Sequence, residues 1–296
     1  MLDCKKQIVN NNHSQYLTDF KNNGFCIIPK AIDQSLVDMC NYSIDSFLNK
    51  NKPLLKQHNL LPNGMLQRAI NLHRSIKPLQ KVFCEAMDSG SLVCDMHGQA
   101  TLHTSLFFEL GSQQPLHRDT PYFYSGTDNG YMGVWVALDD VDEENGALVA
   151  IEGSHKLPEA DLEKLKNKFY PNEDVPPSCT ELFNAYNDEI LALATQAGLR
   201  KVVCNVNKGD MIIWNPATLH GGLPHHDTNR TRRSFVMHIT PKNMPMMHMD
   251  YFFHPDREVP KINKDYIEVG ERLVSNGDHV DFMHKKTFSV EELSTF

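Results

Sequence analysis

The hydrophobic period of the chain changes near residue 99, and that change limits the fold more than any other feature. Before it, apolar residues recur at helical spacing: Leu36, Val37, Cys40, Ile44, Phe47 and Leu48 follow Asp33, which reads as an N-cap, and Pro53 is expected to stop the helix. A short apolar run, Gly24 to Pro29, reads as a strand ahead of it, and another helix is expected from about Pro78. After it, short apolar, β-branched and aromatic runs alternate with turn signals, as in an all-β domain. The expected strands are 99–110, 130–138, 146–151, 202–207, 210–214 and 232–240.

Between the third and fourth of these lies an insertion, about 155–200, that returns to helical spacing. Ser178-x-x-Glu181 reads as a capping box, Leu182, Tyr186, Ile190 and Leu193 as the apolar face, and Gly198 as the stop. That face is expected to pack on the sheet; whether the insertion also serves as a lid is left open. Neither an internal repeat nor a Pro-, Gly- or Ser-rich linker divides the chain. We therefore expect one domain over 1–296: a helical flank to about 95, a β core over about 96–240, and a polar tail of helix and loop over 241–296.

Composition removes several function classes. A formal net charge of -8 leaves no basic stripe for phosphates, so nucleic acid is not an expected partner. No apolar run approaches the roughly 20 residues needed to cross a bilayer, and membrane partners are not expected. The first residues, MLDCKKQIVNNN, have no apolar segment or small-residue cleavage site, which makes the cytoplasm the default location. Seven scattered cysteines without a C-x-x-C pair read as reduced thiols rather than a disulfide framework or a thiolate zinc site.

Fifteen histidines are too many for any one to be informative alone; the signal is a constellation. His117-Arg-Asp119 follows a turn at Gly111 to Pro115, and on extended backbone residues i and i+2 share a face, so the imidazole and the carboxylate converge while Arg118 points away. About a hundred residues on, His220-Gly-Gly adds an imidazole beside glycines that let backbones approach closely. Two imidazoles and one carboxylate on one face of a metal are the donor set of non-haem Fe(II) oxygenases, with three positions left open. The polar loop after His220 then enters an apolar strand through Arg232-Arg233-Ser234, where a guanidinium can hold a carboxylate bidentately. His225 and His226 are expected in solvent, Asn145-Gly146 as a hairpin turn, and Gly153-Ser-His155 in a structural role.

With these blocks in view, the chain resembles the phytanoyl-CoA dioxygenase family over roughly 14–30 and 95–240. The blocks are Leu102-His-Thr104, Pro115 to Phe123, Trp135 to Asp140, Glu144 to Leu148, Gly153-Ser-His155, His220-Gly-Gly and Arg232-Arg-Ser. The resemblance implies a mainly β fold with a double-stranded β-helix (jelly-roll, cupin-type) core. It also implies Fe(II) held by His117, Asp119 and His220, and 2-oxoglutarate as co-substrate with its C5 carboxylate on Arg232. Arg233 is the rival for that last role. Trp135 and Ser105 match positions that contact the co-substrate, although a core tryptophan and a satisfied strand hydroxyl fit the same positions. Gly222 departs from the family pattern, since many relatives have Ser or Thr there, so that contact is expected to be absent or replaced.

The implied reaction is hydroxylation of a small organic molecule or natural-product intermediate, with dioxygen consumed and succinate and carbon dioxide released. A carboxylate at Asp119 argues against halogenation, because halogenating relatives have a small residue there. Thr120, Tyr122, Phe123 and Tyr124 could line a substrate pocket or simply pack. Two other readings remain at this point: a cupin that uses its metal for isomerase or hydrolase work without 2-oxoglutarate, and a noncatalytic binding module on the same fold.

Overall fold

In a computed structural model, the protein is described over residues 13–58, 65–66, 68–89, 98–127 and 130–277. Expectations for the first twelve residues, for Cys4 and Cys94, and for the last part of the tail fall outside them.

The helical flank forms as its spacing predicts. After α1 (His13–Asn23) and β1 (Phe25–Ile28), Asp33 caps α2 (Gln34–His58) by accepting the backbone N–H of Ser35 at 2.8 Å. Pro53 does not stop α2. A proline removes one donor and crowds the carbonyl four residues back, but Val37, Cys40 and Ile44 are wholly buried against the sheet, and the helix runs on to His58. A short β2 (Ala69–Ile70) precedes α3 (Lys77–Ser89), which buries Leu79, Val82, Phe83, Ala86 and Met87 against the same surface.

The β core follows the change of period. Its strands are β3 (Ala100–Phe108), β4 (Met132–Ala137), β5 (Leu148–Ile151), β6 (Lys201–Cys204), β7 (Met211–Trp214), β8 (His220–Gly222) and β9 (Ser234–Pro241). The helices α4 (Leu162–Phe169) and α5 (Thr180–Gln196) lie in the expected insertion between β5 and β6. In the tail, β10 (Tyr266–Val269) and β11 (Arg272–Ser275) form a hairpin where helix and loop were expected. A partner strand about 170 residues away in sequence creates that hairpin's place: β11 pairs in parallel with β3, Leu273 opposite Thr101. Such pairing leaves no local period.

The strands make two sheets. The larger runs β1-β7-β4-β9-β3-β11-β10, with β2 also on β3; the smaller runs β6-β5-β8. Apart from β11 with β3, the pairings are antiparallel. Side chains alternate across the large sheet: Leu102, Phe107, Val134 and Met237 face the flanking helices, while Leu106, Phe108, Trp135 and Val236 face the small sheet. This is the double-stranded β-helix expected, and its site lies between the sheets.

Within the insertion two details differ from expectation. Cys179, not Ser178, is the N-cap of α5, and no side chain caps it, so the capping box does not form. Leu182, Tyr186 and Ile190 are buried as expected, but Ala194 completes the face where Leu193 is only partly covered. Gly198 does end the helix, at φ +64°.

Candidate metal centre

The backbone brings His117 and His220 together before either side chain acts. They form an isolated antiparallel pair in which His117 N–H donates to His220 O at 2.9 Å and His220 N–H donates to His117 O at 3.0 Å. The close approach needs Gly221: a Cβ there would lie 2.6 Å from the Gln114 carbonyl and 3.0 Å from that of Pro115. Two residues on, Asp119 N–H donates to Pro216 O at 2.9 Å, so the carboxylate stays on the same side as His117. Arg118 turns away as expected, its guanidinium buried on Ser154 O at 2.7 Å and Glu159 at 3.3 Å.

His117, Asp119 and His220 are all buried, with donor atoms within 4.8 Å of one another. The Nε2 of His117 is 3.6 Å from Asp119 Oδ1, and that of His220 is 3.7 Å from Asp119 Oδ2. Donors at cis positions around one ion stand about 3 Å apart, so each imidazole nitrogen lies within a fraction of an ångström of that spacing from the Asp119 carboxylate. The other ring nitrogens are engaged. His117 Nδ1 meets Pro115 O at 2.8 Å and His220 Nδ1 meets Thr218 O at 2.9 Å, so each Nδ1 carries the hydrogen and each Nε2 offers a lone pair inward. Trp214 Nε1 at 2.9 Å and the Tyr131 hydroxyl at 3.0 Å both donate to Asp119 Oδ2, leaving Oδ1 as the freer oxygen.

Electrostatics favours the ligating protonation states. Burial lowers His220 to about 4, so the imidazole is neutral near pH 7. Burial alone would raise Asp119, but His220 and His117 beside it outweigh that and hold the carboxyl below its ordinary range. Burial and the adjacent Asp119 charge push the Tyr131 hydroxyl well above its usual value, keeping it a neutral donor.

A cavity of about 590 Å³ opens from the trio between the sheets. Arg232 lines it, wholly buried, with Nε on Gly146 O at 3.1 Å and Nη1 on Ser234 Oγ at 2.8 Å. Its guanidinium lies 5.6 Å from the Trp135 ring and 5.9 Å from that of Phe108. No carboxylate among the described residues pairs with it; burial lowers it to about 10, still cationic near neutrality. Arg233 turns to the other face and is neutralised by Glu109 at 3.0 Å and Asp45 at 2.6 Å. Adjacent strand residues face opposite ways, so Arg232 faces the cavity and Arg233 faces the acids.

Trp135 lines the cavity as expected, and its buried Nε1–H has no hydrogen-bond partner among the described residues. Ser105 does not line it. One residue before Leu106 on β3, it faces the helical side, where its hydroxyl is 2.6 Å from His73 Nδ1, so the satisfied-hydroxyl reading is the one the structure bears out. At Gly222 a Cβ would stand 3.5 Å from Ser112 Oγ and 3.8 Å from Arg232 Nη2. The Ser112 hydroxyl thus reaches the space that a serine or threonine at 222 would share.

Of the aromatic run, Tyr122 and Phe123 line the cavity. Thr120 instead meets the Tyr186 hydroxyl, and Tyr124 packs on Phe252. His225 is not free in solvent: it accepts from Gly111 N–H at 3.2 Å and ties its loop to the turn before His117, whereas His226 is exposed. Sequence reasoning did not single out several lining residues. Gln114 reaches within 3.1 Å of His117 Nε2, a contact a bound metal would displace; Arg68 enters beside β2, and Thr180, Phe183 and Asn184 come from α5. Only i, i+3 and i+4 spacing on α5 hinted at a common face for those three.

Two facing sheets with two imidazoles and a carboxylate at the mouth of the cavity between them define a metal-binding double-stranded β-helix with the donor set of non-haem iron oxygenases. The chain belongs to the PhyH (phytanoyl-CoA dioxygenase) family, whose model matches residues 20–234. Peroxisomal phytanoyl-CoA dioxygenase of Rattus norvegicus is 27% identical over 171 residues, 58% of this chain and 45% of that protein. The chain thus aligns with less than half the length of that relative, and with 28% of the bovine one. Among solved structures, the non-haem α-ketoglutarate-dependent carbocyclase SnoK from nogalamycin biosynthesis superposes with a TM-score of 0.60 at 14% identity, covering 88% of this chain and 95% of that one. The epimerase SnoN, solved with Fe3+, α-ketoglutarate and nogalamycin RO, gives a TM-score of 0.57 at 15% identity, covering 90% and 98%. These likenesses establish the fold. Among the described residues no helix is long and apolar enough to cross a membrane.

Proposed function

We propose that the protein is an Fe(II)- and 2-oxoglutarate-dependent dioxygenase that hydroxylates a small organic molecule or natural-product intermediate within one domain. The observation that carries the reading is the pairing, in one cavity, of the buried His117–Asp119–His220 cluster with a buried guanidinium, Arg232, that has no acid of its own. A cupin isomerase or hydrolase would need the first and not the second.

In this reading His117, Asp119 and His220 would hold the iron, with each imidazole's Nε2 facing the cluster. Arg232 takes the C5 carboxylate of 2-oxoglutarate, and the unpartnered Trp135 Nε1–H offers a donor beside it. Iron with 2-oxoglutarate and dioxygen supplies oxidative decarboxylation coupled to oxygen insertion. The protein's own residues do the rest. Trp214 and Tyr131 orient the Asp119 carboxylate; the apolar walls from Leu106, Phe108 and Val236 exclude water; Phe183 and Tyr122, rings 4.6 Å apart, shape the space in front of His117 for an organic body. Because Asp119 occupies the third ligand position, oxygenation is favoured over halogenation. Cys26, Cys40, Cys84, Cys179 and Cys204 are free thiols, which suits a reducing cytoplasm. The net charge of -8 gives no support to a nucleic-acid partner.

The test is anaerobic reconstitution with Fe(II) and 2-oxoglutarate. Wild type is expected to show the weak visible absorption of the chelate, and Arg232→Ala and His220→Ala are expected to lose it. No band in a folded, iron-loaded wild type would overturn the reading.

A further inference from the structure

We propose that the substrate carries an anionic group, a carboxylate or a phosphate, and that Arg68 binds it. The proposal rests on the iron and 2-oxoglutarate reading above and names the class of molecule that site takes.

Arg68 immediately precedes β2, whose register sets Ala69 opposite Phe107 and Ile70 opposite Leu106. The register continued by one residue sets Arg68 beside Phe108, and alternation turns it to the same inner face as Ile70. It lines the cavity with Leu106 and Phe108, is only partly exposed, and has no hydrogen bond or ion pair with any described residue. Burial acts on its charge, unopposed by any acid among the described residues. The preceding stretch, NLLPNGMLQ at 59–67, contains no acidic residue. A guanidinium taken partly out of water without a partner is costly unless a ligand supplies the counter-charge.

Charge balance indicates which ligand that is. A metal dication, the Asp119 carboxylate, the Arg232 cation and a 2-oxoglutarate dianion neutralise one another, and both carboxylates of the co-substrate are then committed, one to the metal and one to Arg232. The remaining lining acid, Asp188, is exposed at the rim, and it does not act on Arg68. Arg68 therefore leaves one unmatched positive charge among apolar walls. A planar fork of donors matches the two oxygens of a carboxylate or phosphate, and the walls match an apolar body attached to it.

The cavity contains its own reporters, because the two tryptophans of the chain, Trp135 and Trp214, both line it. Full-length protein loaded with Ni(II), which holds 2-oxoglutarate without turnover, is titrated with 2-oxoglutarate and then with octanoate, octyl phosphate or octanol while tryptophan emission is followed. Wild type is expected to bind the two anions at least tenfold more tightly than octanol. Arg68→Met is expected to remove that preference and leave 2-oxoglutarate affinity within twofold, and Arg68→Lys to restore part of it, with melting curves confirming that both variants fold. Equal or absent binding of anions by the 2-oxoglutarate-loaded wild type would overturn the proposal alone. So would an Arg68→Met variant that weakens 2-oxoglutarate instead, since Arg68 would then serve the co-substrate. Failure of wild type to bind 2-oxoglutarate at all would sink the underlying reading, and that outcome is read in the first titration.

Discussion

Neighbouring arginines of one motif have opposite fates here, and the difference is measurable. Arg232 sits in the cavity without an acid, so Arg232→Met is expected to weaken 2-oxoglutarate binding by about 100-fold or more, the loss of one charge-assisted bidentate contact worth roughly 3 kcal/mol, with little change in melting temperature. Arg233 joins Glu109, whose side chain is 9% exposed, and Asp45, at 54%. Arg233→Met is therefore expected to lower stability by about 1–3 kcal/mol, less than a fully buried pair would cost, with 2-oxoglutarate affinity unchanged. Calorimetric titration and urea melts of the two variants make the check; swapped phenotypes would reassign the roles. Tyr131 belongs to the same scale. Tyr131→Phe removes one of the two donors on Asp119 Oδ2, and Co(II) affinity is expected to fall about tenfold, as for other groups that orient a metal ligand. An unchanged Co(II) isotherm would show that Trp214 alone orients the carboxylate. The pairing of His117 with Asp119 in the cluster was legible in the sequence because H-x-D fixes two side chains on one face. Tyr131 and Ser112 were not, because nothing in their local sequence tells that they border a metal or an arginine.

At the scale of elements, the site depends on how closely two backbones approach. Gly221 lets β8 lie against the Gln114–Pro115 turn; Gly222 faces space. Gly221→Ala is expected to cost about 1–3 kcal/mol by overpacking and to weaken metal binding, because backbone must shift the His117–His220 pair apart, whereas Gly222→Ala, whose added carbon meets only ordinary contacts at 3.5 Å and beyond, is expected to be nearly neutral. Thermal melts with and without Ni(II) compare the two, and a tolerated Gly221→Ala would refute the close-approach argument. The sequence placed the longer strands and the second insertion helix, α5, within a few residues, since each satisfies its own period; α4 fell inside the expected helical insertion without bounds of its own. It did not place β8, which is three residues long, or the tail hairpin, since neither carries a period of its own. The capping box failed for a related reason: a four-residue spacing permits a cap, but the helix starts one residue later.

For the molecule as a whole, burial of neutral histidines couples stability to pH. Burial lowers His73 to about 3, His220 and His238 to about 4, and His103 well below its ordinary value. In the unfolded chain each titrates near 6.5, so the unfolded state binds more protons between that value and the folded one. Their stabilising contribution is complete above about 6.5 and is lost progressively as pH falls toward 4 and below, by up to about 1.4 kcal/mol per pH unit per site. The urea midpoint of the metal-free protein is expected to hold nearly level from pH 7.5 to about 6.5 and to fall from there to pH 5, and a flat profile down to pH 5 would contradict the buried neutral imidazoles. By itself the sequence determined the β core with its helical flank, the H-x-D and distal histidine as candidate donors, and an arginine at the mouth of a strand, because periodicity, short-range facing and residue chemistry are local. Only the tertiary structure decided which arginine faces the cavity, that Ser105 faces away, that α5 forms one wall, and that Arg68 stands there without an acid. Each of those depends on which distant strand lies alongside, and strand pairing across a hundred residues is settled by packing of the two sheets rather than by any short stretch of chain.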